Sequence, residues 1–216
     1  MILRTLVVGT LQENVYIIGD EGSNACMIVD PGDDAKSILS EVKRAGLVVH
    51  TVVITHGHID HIGAVADIMD RYKVEYAIHP ADLVTIDSTL NRSMRTMFPN
   101  FRCPPLPNKL LEHDDTLKIG SLEFKVISTP GHTPGSICLY GNGVVFTGDT
   151  LFQGSIGRYD LPGGDGCKLM SSIFDEIVVL PPATIVLPGH GPSSTIQNEK
   201  TQNPFLTGEL NIRSQC

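Results

Sequence analysis

Four side chains able to bind metals lie within six consecutive residues, and this cluster constrains the fold more than any other sequence feature. The segment reads Thr55-His56-Gly57-His58-Ile59-Asp60-His61. It follows a segment at 48–54, rich in valine and isoleucine, that predicts a buried strand, and a helical apolar pattern begins at Ile62. Burying such polar groups is costly unless something coordinates them. The sequence therefore predicts a metal site at a strand-to-helix junction.

The spacing within the cluster favours two ions. Residues two apart on an extended segment share a face, so His56 and His58 can converge on one ion. The turn into the helix then lets Asp60 and His61 address another. One junction can therefore serve two ions.

Three further residues with ligand side chains follow predicted strands directly: they are His132, Asp149 and His190. A glycine precedes each of them and permits a tight turn, so strand ends at one sheet edge can aim these side chains at a common point. Imidazole and carboxylate ligands suit zinc, iron or manganese. A carboxylate can also bridge two ions about 3.5 to 4 Å apart.

The remaining chain alternates short strands with helices. Strands are predicted at residues 3–8, 14–18, 25–29, 48–54, 75–78, 116–119, 122–128, 136–140, 144–147 and 184–187. Helices are predicted at 35–45, from 62 onward, at 80–87 and at 168–177, with Asp33 and Asp34 as N-caps of the first. Prolines stiffen a predicted loop at 99–107.

Length and charge limit the classes of partner. The chain has 216 residues, and domains average about 150 residues, so we expect one domain over residues 1–216. The net charge of -8 disfavours nucleic acids and anionic lipids, and no apolar run approaches the roughly 20 residues that span a bilayer. Five scattered cysteines without a Cys-x-x-Cys pair indicate a reducing, cytoplasmic location.

The His-x-His-x-Asp-His cluster and the three later ligand residues resemble the shared motif of the metallo-β-lactamase superfamily. This resemblance implies an α/β fold, namely an αβ/βα four-layer sandwich with the metal site at the strand ends. It also implies two zinc ions, with iron or manganese as alternatives. The implied ligands are His56, His58 and His132 for one ion, Asp60, His61 and His190 for the other, and Asp149 as the bridge.

A narrower resemblance is to short bacterial members of the glyoxalase II group, the hydroxyacylglutathione hydrolases. It is carried by Asp149-Thr150-Leu151-Phe152, Gly157-Arg158 and Asn203-Pro204-Phe205. The resemblance implies hydrolysis of a small-molecule thioester of the S-lactoylglutathione type, with Arg158 and Tyr159 as substrate contacts. The tyrosine that the group has two places later is replaced by Asp160, and Tyr159 is displaced by one position. Few residues follow His190, so we do not expect the group's C-terminal helical substrate domain.

The expected mechanism is attack by a metal-held hydroxide on the thioester carbonyl. Asp60 is the catalytic residue in this scheme, because it can orient the hydroxide and pass its proton to the leaving group. A thiol, with a pKa near 8.5, leaves more readily than an amine.

Some of these residues also have structural interpretations. Arg158 can pair with Asp160 or Asp165 instead of substrate, and Asp149 can be a helix N-cap. Asp30 is expected to form a turn and to steady the site from behind.

Several activities compete within the superfamily. One class of β-lactamases has cysteine at the position of Asp149, and flavodiiron proteins have glutamate at the position of His58, so both are disfavoured. Transfer-RNA processing is disfavoured by the negative charge. Persulfide dioxygenases, which use one iron at the equivalents of His56, His132 and Asp149, remain an alternative. Lactone hydrolysis and a metal-binding module without turnover also remain, and the oligomeric state stays open.

Overall fold

The structure is a computed structural model that describes residues 1–89, 98 and 101–210, with only the backbone of 87–89. Its strands are β1 Ile2–Val8, β2 Glu13–Gly19, β3 Ala25–Val29, β4 Val48–Val53, β5 Glu75–Ile78, β6 Lys109–Leu110, β7 Thr116–Ile119, β8 Leu122–Ser128, β9 Ile137–Gly141, β10 Val144–Gly148, β11 Leu151–Phe152, β12 Ser155–Ile156, β13 Ile185–Pro188 and β14 Ser194–Thr195. The α-helices are α1 Ala35–Arg44, α2 Ile59–Ile62, α3 Val65–Tyr72, α4 Leu83–Thr89, α5 Gly166–Ser172, α6 Ile196–Gln202 and α7 Pro204–Thr207. A 3-10 turn at Pro80–Asp82 precedes α4, and a π-helical turn at Ile173–Ile177 extends α5.

The strands form two six-stranded sheets and a small hairpin of β11 and β12. The first sheet has the order β1-β2-β3-β4-β5-β6, and the second has the order β14-β13-β10-β9-β8-β7. In the first sheet β1, β2 and β3 are antiparallel, whereas β3 to β6 run parallel. Parallel strands end at the same edge, which places the loops after them side by side.

Three apolar clusters lie between the four layers of helices and sheets and pack them against one another. Alternate residues of β2 face opposite sides of the first sheet: Ile17 packs towards α1 and α3, while Ile18 packs between the sheets with Phe124 and Phe146. The outer face of the second sheet packs on α5 through Val145. The order helix, sheet, sheet, helix confirms the predicted αβ/βα sandwich.

The predicted strands are found with their ends shifted by at most two residues, but several short elements were not predicted. They are β6, β11, β12, β14, α6 and α7. The capping prediction at α1 is wrong in its mechanism: Asp34 is the N-cap residue, but it is left-handed at φ 49° and its side chain makes no cap hydrogen bond. Residues 99 and 100 of the predicted proline loop lie outside the described residues, and 101–107 form no helix or strand. None of the helices in the described part of the chain is both long and apolar enough to cross a membrane.

Candidate metal centre

Three histidine nitrogens meet where the loop after β4 faces the loop after β8. The distance from His56 Nε2 to His58 Nδ1 is 3.1 Å, and His132 Nε2 lies 3.2 Å and 2.9 Å from those two atoms. Nitrogens that bind one tetrahedral zinc at about 2.0–2.1 Å lie about 3.3 Å apart. The three nitrogens therefore form a triangle of the size that a single ion requires.

A second group of ligand atoms lies beside the triangle. Asp60 Oδ2 is 3.2 Å from His190 Nε2 and 3.9 Å from His61 Nε2. Asp149 lies between the two groups: its Oδ1 is 3.4 Å from His61 Nε2, and its Oδ2 is 3.5 Å from His132 Nε2. All seven predicted ligands are thus brought together, with Asp149 in the bridging position.

Three of the histidines face the centre through Nε2, and in each of them the other ring nitrogen, Nδ1, lies close to an oxygen. His61 Nδ1 lies 3.0 Å from Asp30 Oδ2, His132 Nδ1 lies 2.6 Å from the Arg158 carbonyl, and His190 Nδ1 lies 3.1 Å from the Leu11 carbonyl. A carbonyl or carboxylate can only accept, so each Nδ1 carries a proton, and in the neutral imidazole each Nε2 then presents a lone pair to the centre. These imidazoles are therefore prepared as metal ligands.

His56 is oriented in the same way through a hydroxyl. Thr55 Oγ1 donates to Asp30 Oδ2 at 2.6 Å and lies 3.1 Å from His56 Nδ1. Because its proton is used on Asp30, the hydroxyl oxygen accepts from His56. Asp30 thus steadies two of these histidines from behind, as expected from the sequence, and its own backbone is left-handed at φ 49°.

Two buried ligand atoms have no hydrogen-bond partner in the described structure: they are His61 Nε2 and Asp149 Oδ1. Leaving such atoms desolvated and unpaired costs about 1–3 kcal/mol each. A bound cation removes that cost, and histidine nitrogens with carboxylate oxygens are ligands for zinc, iron or manganese. The residues present therefore fit a metal centre of two ions.

The two groups of ligands have opposite electrostatics. Burial and the neighbouring imidazoles hold the pKa of His56 well below its usual value, and they lower the pKa of His58 to about 4. Burial alone would also lower the pKa of His61, but Asp149, Asp60 and Asp30 outweigh it and raise that pKa well above its usual value. Proton binding is thus disfavoured at His56 and His58, but favoured at His61.

The carboxylates remain ionised despite their burial. Burial alone would raise the pKa of Asp60, but the His61 charge and the hydrogen bond from His190 outweigh it and lower the pKa. Burial alone would also raise the pKa of Asp149, but the charge of His61 outweighs this effect and the pKa is lowered. Ionised carboxylates are the form that binds a cation.

Two residues behind the second group were not found from the sequence. Glu13 is buried, both its carboxyl oxygens lack hydrogen-bond partners, and Oε1 lies 3.9 Å from His61 Nδ1. Burial, reinforced by Asp30, raises the pKa of Glu13 well above its usual value. Asn14 donates to the carbonyls of Pro188 and Gly191 and so holds the loop of His190. The only signal for either residue is a polar side chain at the start of an otherwise apolar strand.

The two predicted substrate contacts, Arg158 and Tyr159, each have a partner within the chain. The Arg158 side chain is exposed and forms two hydrogen bonds of 3.0 Å with Asp160, which is the structural alternative considered from the sequence. Tyr159 is half-buried and packs on the apolar cluster of α5 and the second sheet. Asp149 caps no helix, because the short strand β11 begins two residues after it.

A family model described as the metallo-beta-lactamase superfamily matches residues 8–190 of the chain. Among curated relatives, the hydroxyacylglutathione hydrolase GloC of Haemophilus influenzae is 35% identical, over 97% of this chain and 100% of its own. The probable metallo-hydrolase YqgX of Bacillus subtilis is 37% identical, over 95% and 97%.

Solved structures give the same result. BLEG-1, a B3 metallo-beta-lactamase, has a TM-score of 0.89 at 39% identity and covers 96% of this chain and 100% of its own. TTHA1623 in a di-iron-bound form has a TM-score of 0.85 at 37% identity, over 94% and 100%. ETHE1 from Myxococcus xanthus has a TM-score of 0.81 at 30% identity, over 96% and 85%.

Proposed function

Because the chain belongs to the metallo-beta-lactamase superfamily, we propose that it is a binuclear metal-dependent hydrolase that cleaves a small acyl thioester of the S-lactoylglutathione type. The observation that carries this proposal is the convergence of the seven ligand side chains into two adjoining groups with Asp149 between them. We propose two zinc ions, with His56, His58 and His132 holding one, and Asp60, His61 and His190 holding the other. Iron and manganese are the alternatives.

Divalent ions, when bound here, supply a hydroxide at neutral pH and polarise a carbonyl. Asp60 orients the attacking group, because its carboxylate lies beside His190 within the second ligand group and remains ionised. The same carboxylate takes the proton of the attacking group and passes it to the departing sulfur. Asp30 and Thr55 keep the imidazoles in the tautomer that leaves Nε2 unprotonated.

The thioester class is supported by the relationship to GloC and by the chemistry of the leaving group. GloC is a hydroxyacylglutathione hydrolase, and the alignment extends over its whole length. A thiol leaves without strong acid assistance. His61 and His190 have raised pKa values, and both face the carboxylates.

A groove beside His190 offers a place for the substrate. This cavity of about 280 Å³ is lined by Val7, Leu11 and Pro192 next to His190. Val7 and Leu11 are exposed although they are apolar. We propose that the groove takes an uncharged part of the thioester, while Arg158 contacts a carboxylate only after leaving Asp160.

Metal analysis combined with a thioester panel tests the proposed function. We expect close to two ions per chain and thiol release from S-lactoylglutathione or a related acyl thioester. The matched controls are His56→Ala, which removes a ligand, and His113→Ala, which removes an exposed histidine outside the centre. Two bound ions without thiol release from any thioester would contradict the substrate class but leave the metal centre intact.

A single-iron dioxygenase is the second candidate function. His56, His132 and Asp149 lie together, and two histidines with one carboxylate form the facial triad of non-haem iron oxygenases. The similarity to ETHE1 supports this alternative. One iron per chain, with oxygen uptake in the presence of glutathione persulfide, would favour it over hydrolysis. Lactone hydrolysis is distinguished by including lactones in the panel.

A cytoplasmic location and a single domain over residues 1–216 remain predictions. Cys26, Cys103 and Cys138 are free thiols, whereas Cys167 is disulfide-bonded. Cell fractionation would test the location directly.

A further inference from the structure

A fully buried carboxylate outside the ligand set connects the two loops of the three-histidine group. Asp82 is the last residue of the 3-10 turn that precedes α4, and it is 0% exposed. Its Oδ2 accepts from the Gly57 amide at 2.6 Å and from the Thr133 hydroxyl at 2.8 Å. Its Oδ1 accepts from the Gly135 amide at 2.7 Å. Gly57 separates His56 from His58, and Thr133 follows His132, so one carboxylate reaches both loops.

The backbone around Asp82 shows the same close fit. A Cβ atom added to Gly57 would lie 2.8 Å from the Asp82 carbonyl oxygen, and one added to Gly135 would lie 2.6 Å from the Asp82 amide nitrogen. Both loops therefore pack directly on the backbone at residue 82, and any side chain at either glycine would push a loop away. The glycines and the carboxylate are independent features that require the same arrangement.

We propose that Asp82 is a positioning residue that holds the loop of His56 and His58 against the loop of His132, and thereby sets the geometry of the three-histidine ion site. The three hydrogen bonds all come from uncharged donors on the two loops. The second ion site should be less affected, because Asp60 and His61 lie on α2, beyond the turn that Asp82 bonds, and His190 lies on the loop after β13. The inference rests on the metal centre proposed above and not on the choice of substrate.

The substitution Asp82→Asn keeps the size of the side chain but presents an amide NH2 group to donors that need an acceptor. We expect zinc affinity at the three-histidine site to fall about 10–100-fold, as is typical when a group behind a metal ligand is changed. Affinity at the second site should change less than about twofold. The measurement is zinc competition with a chromophoric chelator, and the absorption of the cobalt-substituted protein reports ligand geometry independently of activity.

A matched control is Asp20→Asn. Asp20 is also a buried carboxylate, and it accepts from the Ser23 amide, the Ser23 hydroxyl and the Ser121 hydroxyl, but it bonds neither ligand loop. This variant should lose stability without losing zinc affinity or changing the cobalt spectrum. Urea unfolding of both variants without metal separates a loss of stability from a loss of positioning.

If Asp82→Asn does not fold, Thr133 provides a milder test. Thr133→Val removes one hydrogen bond to Asp82 and should weaken the three-histidine site, whereas Thr133→Ser keeps the hydroxyl and should restore the affinity. Unchanged affinity in Asp82→Asn, or in Thr133→Val where the first variant does not fold, would overturn the proposal. So would an equal loss at both sites that Asp20→Asn reproduces. A wild-type chain that binds no ion would overturn the metal centre itself.

Discussion

At the scale of single residues, Asp60 and Asp67 allow a carboxylate with a proposed role in the reaction to be compared with a carboxylate at the surface. We expect Asp60→Asn to lower kcat for thioester hydrolysis by about 10²–10⁴-fold, because an amide can neither take nor deliver the proton. Asp67 is close in the chain, but it is exposed and paired with Arg102, so Asp67→Asn should leave kcat unchanged. Steady-state kinetics with metal content measured on the same samples checks both. Equal activity in the two variants would remove Asp60 from the mechanism.

The opposite electrostatics of the two ligand groups predict that acid releases one ion before the other. His56 and His58 have lowered pKa values, so few protons compete with an ion there above about pH 4. His61 and His190 have raised pKa values, so a falling pH protonates them and an ion must displace those protons. As the pH falls through the ordinary histidine range near 6.5, affinity at the second site should decrease by up to about tenfold per pH unit for each displaced proton.

Equilibrium dialysis against limiting zinc measures this release. We expect the bound zinc to fall from two ions towards one as the pH decreases. The variant His190→Ala keeps the three-histidine site and should bind one ion with little pH dependence. The variant His58→Ala keeps the second site, and its zinc binding should depend steeply on pH. Loss of both ions at the same pH, or the reverse order in the two variants, contradicts the assignment of the pKa shifts.

At the scale of elements, the segment after β12 holds Arg158, the cation proposed to contact a charged substrate. Arg158 is exposed but paired with Asp160, so a glutathione carboxylate has to displace an existing partner. We expect Asp160→Asn to lower KM for S-lactoylglutathione by a few fold, because the guanidinium becomes free. KM for an acyl thioester without a carboxylate should not change.

The control for that effect is Arg158→Ala, which should raise KM for the glutathione thioester and abolish the benefit of Asp160→Asn in the double variant. The carbonyl of Arg158 also accepts from His132, but a side-chain change leaves that bond in place. If Arg158→Ala and Asp160→Asn both leave KM unchanged, Arg158 is a structural residue only. Kinetics on the two thioester types makes the distinction.

Elements with strong periodicity were predictable, and those without it were not. Val48–Val53 is long enough and apolar enough to indicate a buried strand, and the ligand cluster after it gives the position of the centre. The hairpin of β11 and β12 has two residues in each strand, which is too short for any periodic pattern.

Contacts distant in sequence were also beyond prediction. Asp82 bonds Gly57 and Gly135, which are 25 and 53 positions away, and nothing local in the sequence indicates that pairing. Glu13 was missed for the same reason, because its significance comes from His61 packing against it after folding. The convergence of the seven ligand-type side chains was predictable, because their chemistry and their positions after strands are both visible in the sequence.

At the scale of the whole molecule, the metal centre joins the two halves of the sandwich. The cluster from His56 to His61 follows the first sheet, whereas His132, Asp149 and His190 follow strands of the second. Between the sheets the core is continuous and apolar, so the halves are held by packing along most of their area. At the strand ends that packing is replaced by ligand atoms, two of which are buried without partners.

Removal of the metal should therefore lower the stability of the entire fold. An ion present at about 1,000 times its Kd stabilises the native state by about 4 kcal/mol, and for a chain of this length each kcal/mol corresponds to about 2–4 °C. We expect chelation to lower Tm by about 8–16 °C for each tightly bound ion, as measured by calorimetry. His56→Ala should show a smaller decrease, because it begins without one of the ions. A chelated protein that melts at the temperature of the metal-loaded protein would mean that the ligands do not connect the two halves.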